Sequence, residues 1–116
     1  MIWVCDMASE IESLIEEIRN FCEERKWSQF HNGKDLAAAI SIEAGELQEA
    51  FLWKKAESVS EDKVREELAD IFIYAFRMAD VYKLDVAEIV RNKLDKNAVK
   101  YPVEKCIGTS TKYTDL

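Results

Sequence analysis

The chain has 116 residues, a length that suits one domain (residues 1–116) and is too short for two separate cores. Apolar residues make up 48% of it, with only 3 Gly and 1 Pro, a composition that disfavours a turn-rich β fold and predicts an all-α protein. The net charge of −7 argues against binding to nucleic acid or to an anionic membrane, and a polyanionic substrate would need a bridging cation.

The cysteines and the N-terminal stretch bear on the cellular compartment. Cys5, Cys22 and Cys106 are odd in number and far apart, which favours neither a disulfide framework nor a zinc site and predicts a reducing, cytoplasmic location. Residues 1–7 contain a short apolar run without a basic region, and nowhere do about 18 apolar residues follow one another. We therefore expect no signal peptide and no membrane span.

The first predicted helix covers about residues 10–25 and opens a helical core of about residues 9–102. Ser9 is the predicted N-cap, and Glu12 would complete a capping box. Apolar residues recur at helical spacing along one stripe, at Ile11, Leu14, Ile15, Ile18, Phe21 and Cys22. This helix is most simply scaffold.

The main predicted loop covers residues 26–34. It contains Trp27, Phe30 and His31, the only histidine of the chain, followed by an Asn-Gly turn at residues 32–33. Such a loop is either a hydrophobic lid over the core or a stacking surface, and in the second case these three side chains would hold a nucleobase.

The second predicted helix covers residues 36–55, with Asp35 as its cap. Glu43 lies near the middle of its apolar face. Gly45 costs about 1 kcal/mol relative to Ala at a mid-helix position, which indicates close approach of another backbone or of a ligand. Trp53, near the helix end, is either a core residue or part of a base pocket.

The third predicted helix covers about residues 61–82, with Ser60 as its N-cap. Between Leu68 and Val81 it reads as apolar almost all round. We therefore expect it to lie at the centre of the fold and also at a subunit contact.

Two acidic pairs stand in these helices, Glu43 with Glu46 and Glu67 with Asp70. Residues three apart on a helix lie roughly 60° apart on one face, so each pair can bind one ion. Four carboxylates converging in a helical interior would need a cation, and oxygen ligands suit Mg²⁺ or Mn²⁺. The alternative is that these are ordinary surface acids.

A fourth helix is predicted from Asp85 to about residue 99, and Pro102 follows its end. Lys93 and Asn97 share one of its faces and either contact phosphate or are simply solvated. We expect residues 103–116 to form a loose tail.

Five motifs together carry a resemblance to a known family. They are WSQFH at 27–31, EAGEL at 43–47, FLWK at 51–54, EELADIFIY at 66–74 and KLDKN at 93–97. The chain resembles the all-α nucleoside triphosphate pyrophosphohydrolases, the MazG-like family, and within it the dCTP pyrophosphatase branch. One departure is Asn32, which follows His31 where that branch commonly has proline, and it bears on loop shape and base choice.

The resemblance implies a four-helix unit that assembles as a homodimer or homotetramer. It implies a Mg²⁺-dependent hydrolysis of a nucleoside triphosphate to the monophosphate and pyrophosphate by a metal-activated water, with Glu46 or Glu49 as candidate base. The implied metal ligands and catalytic residues are Glu43, Glu46, Glu67 and Asp70. The implied substrate contacts are Trp27, His31, Trp53, Tyr74, Lys93 and Asn97.

Three other functions remain open at this point. The first is a helical interaction protein whose acids are solvated. The second is a redox carboxylate bundle, although such sites usually bring a Glu-x-x-His on two helices and His31 lies in a loop. The third is a related pyrophosphohydrolase that acts on another base.

Overall fold

The computed structural model describes the backbone of residues 2–116 and the side chains of residues 10–116. This part of the chain is helical and contains no strand, which confirms the all-α prediction. None of its helices is long and apolar enough to cross a membrane. The helices are α1 (Ile2–Glu24), α2 (Gly33–Phe51), α3 (Glu61–Val81), α4 (Val86–Lys100) and the short α5 (Val103–Cys106).

Helix α1 begins earlier than its sequence pattern predicts. It starts at Ile2 and continues through Ser9, so the prediction that Ser9 caps this helix is wrong. Residues 2–8 contain neither Gly nor Pro, and nothing in them interrupts helical backbone geometry before Ser9. Of the predicted apolar stripe, Ile18 and Cys22 are buried, whereas Leu14 and Phe21 are exposed.

Helix α2 is displaced towards the N-terminus relative to the prediction. Asn32 is its N-cap, because the Asn32 side chain accepts a hydrogen bond of 2.9 Å from the Asp35 backbone N–H. Asp35 therefore does not cap the helix, and its carboxylate accepts a 2.8 Å hydrogen bond from the Asn32 amide instead. The helix ends at Phe51, one turn before the predicted end at Lys55.

The cap predicted for α3 is confirmed, and the predicted start of α4 at Asp85 coincides with its N-cap. The Ser60 hydroxyl accepts a 3.2 Å hydrogen bond from the Lys63 backbone N–H, and the Asp85 carboxylate accepts one of 2.9 Å from the Glu88 backbone N–H. Each side chain satisfies a backbone donor that has no partner inside the helix.

The chain forms two compact units, and the first covers Met1–Leu84. In it α3 packs against both α1 and α2, which confirms its predicted central position. The buried apolar side chains are Ile18, Cys22, Leu36, Ala50 and Ala79. The charged residues Glu67 and Arg77 of α3 are also buried, whereas its apolar residues Leu68, Phe72 and Ile73 are exposed.

The second unit covers Asp85–Leu116. Within it the Tyr113 ring packs edge-on against Tyr101 at a centroid distance of 5.9 Å, and the Lys100 ammonium lies 4.9 Å from the Tyr113 ring. Residues 103–116 therefore contain a short helix and contact Lys100 and Tyr101 through Tyr113, and their mobility remains a prediction.

Gly45 lies in α2 with no described atom within 4 Å of the position that a Cβ would occupy. No other backbone of the described chain approaches it. We expect Gly45→Ala to raise the free energy of unfolding of the metal-free protein by about 1 kcal/mol, because alanine loses less backbone entropy in a helix. Urea unfolding in EDTA measures this change.

The matched control for this substitution is Ala44→Gly, at the neighbouring exposed position of the same helix. It should lower the stability by a similar amount. A Gly45→Ala variant that is no more stable than the parent would contradict the prediction. A stabilised variant with reduced turnover would indicate that a ligand approaches this backbone.

Candidate functional site

Three of the four predicted acids come together between α2 and α3. Glu43 and Glu46 lie one turn apart on α2, and α3 brings Glu67 to them, so that one carboxylate oxygen from each lies within 4.8 Å of the others. Glu67 is only 6% exposed, Glu43 is half-buried and Glu46 is exposed. The cluster therefore extends from the helix interface to the surface.

Two oxygens of this cluster lack any hydrogen-bond partner among the described residues. They are Oε2 of Glu43 and Oε2 of Glu67, and both are buried. A buried carboxylate oxygen without a partner is costly, and a bound cation would remove that cost. The cluster contains oxygen donors and no histidine, so these residues fit a hard divalent cation such as Mg²⁺ or Mn²⁺.

Lys63 supplies one positive charge at the edge of the cluster. Its Nζ lies 2.8 Å from Oε1 of Glu67, one helical turn along α3. This ion pair holds the pKa of Glu67 below its usual value and raises the pKa of Lys63. One ammonium beside three carboxylates leaves the cluster with excess negative charge.

The excess negative charge has its largest effect on Glu46. Hydrogen bonding of its protonated carboxyl to Glu43 and to Glu67, together with their negative charges, raises the pKa of Glu46 to about 7. The metal-free cluster therefore retains a proton near neutral pH. That proton would leave when a cation binds.

We expect the metal-free protein to lose stability as the pH rises from 4.5 to about 7. In this window the folded state binds more protons than the unfolded state, because the pKa of Glu46 is raised from 4.5 to about 7, so the free energy of unfolding falls. Thermal unfolding in EDTA across this range measures the effect. Glu46→Gln should flatten the profile, and an unchanged profile in that variant would contradict the assignment.

Asp70 lies outside the group of three carboxylates that share the 4.8 Å cluster. It is half-buried on α3, and its charge acts on Tyr74. Burial is the main cause of the raised pKa of Tyr74, followed by the charges of Glu43 and Asp70. Tyr74 therefore belongs to the acidic neighbourhood, and the role of Asp70 as a metal ligand remains a prediction.

A cavity of about 440 Å³ opens beside the cluster. Its size lies in the range of small-molecule sites. It is lined by Glu46, Glu49, Ala50, Lys63 and Glu67. Both acids that the sequence offers as a candidate base, Glu46 and Glu49, line this cavity.

Trp53 lies in the turn after α2, and its position excludes a core role. The residue is 94% exposed, and its backbone has φ of 63°, a left-handed conformation that is uncommon for a residue other than glycine. The Lys54 backbone N–H donates to the Phe51 carbonyl at 3.0 Å, so Trp53 occupies a position of the turn that favours glycine. An exposed indole on strained backbone is not explained by packing within this chain.

The loop between α1 and α2 contains a 3₁₀ turn, Ser28–Phe30. Trp27 and Phe30 are 45% and 62% exposed, so they do not form a closed lid over the core. Trp27 packs edge-on against Phe21 at a centroid distance of 5.8 Å, and the Arg25 guanidinium lies 3.6 Å from the Phe21 ring centre.

His31 accepts a hydrogen bond from Arg77, a residue that none of the sequence motifs includes. Arg77, buried in α3, donates hydrogen bonds to Nδ1 of His31 and to the Ser28 hydroxyl, both at 3.0 Å. It also pairs with Asp80 at 3.1 Å, and Arg19 of α1 pairs with the same carboxylate at 2.7 Å. In the sequence this pair is recognisable, because Arg77 and Asp80 are opposite charges three residues apart in an otherwise apolar stretch.

Lys93 and Asn97 lie on α4 in the second unit. Lys93 is exposed and Asn97 is half-buried. Their assignment as substrate contacts remains a prediction.

Comparisons with known proteins agree on one family. A family model described as the MazG-like family matches residues 38–116. The dCTP pyrophosphatase 1 of Bos taurus is 38% identical and that of Homo sapiens 34% identical, each alignment covering 90% of this chain and 69% of the relative. The crystal structure of a pyrophosphatase from Archaeoglobus fulgidus superposes with a TM-score of 0.76 at 37% identity, over 80% of this chain and 93% of that one.

Proposed function

This chain belongs to the MazG-like family and is a nucleotide pyrophosphohydrolase, and we propose that it converts dCTP or a modified dCTP to the monophosphate and pyrophosphate. The observation that carries the proposal is the pair of buried carboxylate oxygens, on Glu43 and Glu67, that have no partner within the described chain. The 38% identity to a dCTP pyrophosphatase supports the choice of base.

In this proposal Glu43, Glu46, Glu67 and Asp70 hold Mg²⁺, with Mn²⁺ as a substitute. The three glutamates already lie within 4.8 Å of one another, and Asp70 follows Glu67 by one turn of α3. When bound, the cation supplies charge neutralisation for the triphosphate and acidifies a coordinated water.

Side chains of the protein have two further roles in the proposed reaction. The first is to take the proton of the attacking water, for which Glu46 or Glu49 is suitably placed at the wall of the cavity. The second is to bind the nucleotide. The proposed binding residues are Trp27, His31, Trp53, Tyr74, Lys93 and Asn97.

We further propose that the enzyme is a cytoplasmic homodimer or homotetramer. Leu68, Phe72 and Ile73 on α3 are exposed in the single chain, and apolar side chains grouped at a surface favour a protein contact. Cys22 and Cys106 are unpaired, in keeping with a reducing compartment.

The experiment is to incubate the purified protein with canonical and modified dNTPs and NTPs, in Mg²⁺ and in EDTA, and to separate the products by chromatography. We expect monophosphate and pyrophosphate with Mg²⁺ only, and the fastest turnover with dCTP or a modified dCTP. Diphosphate with inorganic phosphate would contradict the proposed reaction. Faster turnover of another base would contradict the proposed substrate while leaving the reaction in place.

A further inference from the structure

Arg77 makes contacts that the catalytic proposal does not use. It is 6% exposed, and each of its three guanidinium nitrogens bonds to a different residue. Nε donates to Nδ1 of His31 at 3.0 Å, Nη2 donates to Oγ of Ser28 at 3.0 Å, and Nη1 donates to Asp80 at 3.1 Å. Arg77 thus ties the 28–31 turn to the central helix.

The position of Arg77 is fixed by its partner Asp80, which a second arginine also contacts. Asp80, one turn further along α3, also accepts hydrogen bonds of 2.7 Å and 2.9 Å from Arg19 of α1. The Asp80 carboxylate therefore lies between two guanidinium groups, and the pairing with Arg19 lowers the pKa of Asp80. This network leaves Arg77 little freedom to turn away from His31.

The hydrogen bond from Arg77 determines which nitrogen of His31 carries a proton. A guanidinium only donates, so Nδ1 of His31 must accept, and the proton of the neutral imidazole then resides on Nε2. Burial and the adjacent Arg77 charge also lower the pKa of His31, which disfavours the imidazolium. His31 is consequently a neutral ring whose Nε2–H has no acceptor among the described side chains.

We propose that Arg77 is a positioning residue that holds His31 as an Nε2–H donor for a hydrogen-bond acceptor on the nucleotide, such as a pyrimidine carbonyl oxygen. This inference rests on the proposed function, because it takes the nucleotide as the ligand of His31. Lysine cannot replace arginine here, since one ammonium cannot reproduce three planar contacts to three residues.

The first test needs no nucleotide. His31 is the only histidine, so its imidazole nitrogens can be observed without ambiguity in a ¹⁵N-labelled sample. We expect the wild type to show protonated Nε2, unprotonated Nδ1, a through-hydrogen-bond ¹⁵N–¹⁵N coupling from Arg77 Nε to His31 Nδ1, and a pKa below 6.5. A protonated Nδ1 in the neutral ring would overturn the inference, whether or not any variant folds.

The second test compares Arg77→Lys with a matched control, Arg19→Lys. Both substitutions disturb the pairing of Asp80, but only the first removes the bond to His31. We expect Arg77→Lys to abolish the coupling, return the pKa of His31 towards its ordinary value, and raise KM about tenfold with kcat within about twofold. Arg19→Lys should leave the His31 spectrum unchanged and KM within about twofold.

A double substitution separates positioning from a general loss of structure. His31→Asn retains an acceptor for Arg77 but lacks the Nε2–H donor. In this background Arg77→Lys should change KM by less than about twofold, whereas an undiminished tenfold effect would overturn the inference. A wild type that hydrolyses no nucleotide would refute the proposed function, and the nitrogen spectra would still decide whether Arg77 sets the state of His31.

Discussion

Glu43→Gln is expected to lower kcat about a thousandfold at saturating Mg²⁺. The substitution keeps the shape of the side chain and removes the charge of one proposed ligand, whose buried oxygen has no partner within the described chain. Metal catalysis supplies several kcal/mol of transition-state stabilisation, and about 4 kcal/mol corresponds to a thousandfold rate change. Initial rates of pyrophosphate release measure the effect.

The same variant, Glu43→Gln, should increase the thermal stability of the metal-free protein. Glutamine at position 43 removes a negative charge beside Glu46 and Glu67 and supplies an amide donor, so unfolding in EDTA should require a higher temperature than for the parent. In Mg²⁺ the parent should have the higher unfolding temperature of the two, because specific binding at about 100 times Kd stabilises the parent by about 2.7 kcal/mol.

The matched control is Glu66→Gln. Glu66 is exposed and adjacent in sequence to Glu67, yet it lies outside the cluster. The substitution Glu66→Gln makes the same chemical change outside the proposed metal site, so turnover should stay within about twofold of the parent. Full activity in Glu43→Gln, or equal losses in both variants, would remove Glu43 from the metal site.

Trp53→Ala is expected to raise KM by roughly 10-fold to 100-fold, with little change in the affinity for Mg²⁺. Stacking of a base on an aromatic side chain contributes about 1–3 kcal/mol, and the 94% exposed indole leaves its ring available to a ligand. Steady-state kinetics and Mg²⁺ titration measure the two quantities separately. An unchanged KM would exclude Trp53 from the base site.

Trp53→Gly tests the strained backbone at the same position. The left-handed conformation, with φ of 63°, costs a residue other than glycine about 1 kcal/mol or more. Glycine should therefore give a more stable protein than alanine at position 53, with an equally raised KM. Leu52→Ala, at the exposed neighbour in the same turn, is the control and should leave KM within about twofold.

Much of this protein follows from local sequence. Composition and apolar spacing predict the four main helices, and the cap at Ser60 is found as expected because it needs only a side chain and a backbone N–H three residues away. The acidic pairs were also recognisable, since three-residue spacing places both members of a pair on one helix face.

Tertiary structure decided which of these local possibilities are used. Sequence spacing treats Glu67 and Asp70 alike, but packing of α2 against α3 brings only Glu67 into the group with Glu43 and Glu46. The pKa of about 7 at Glu46 arises from charges on another helix as well as its own.

The state of His31 also depends on contacts that no local pattern contains. Arg77 lies 46 positions away in the sequence, and its hydrogen bond to His31 exists only because α3 packs beside the loop that follows α1. Local sequence thus determined the helices, most of their ends and the presence of four acids. Only the packing of those helices determined which acids meet, which proton is retained and which nitrogen of His31 donates, because electrostatic and hydrogen-bond energies depend on distances between separate elements.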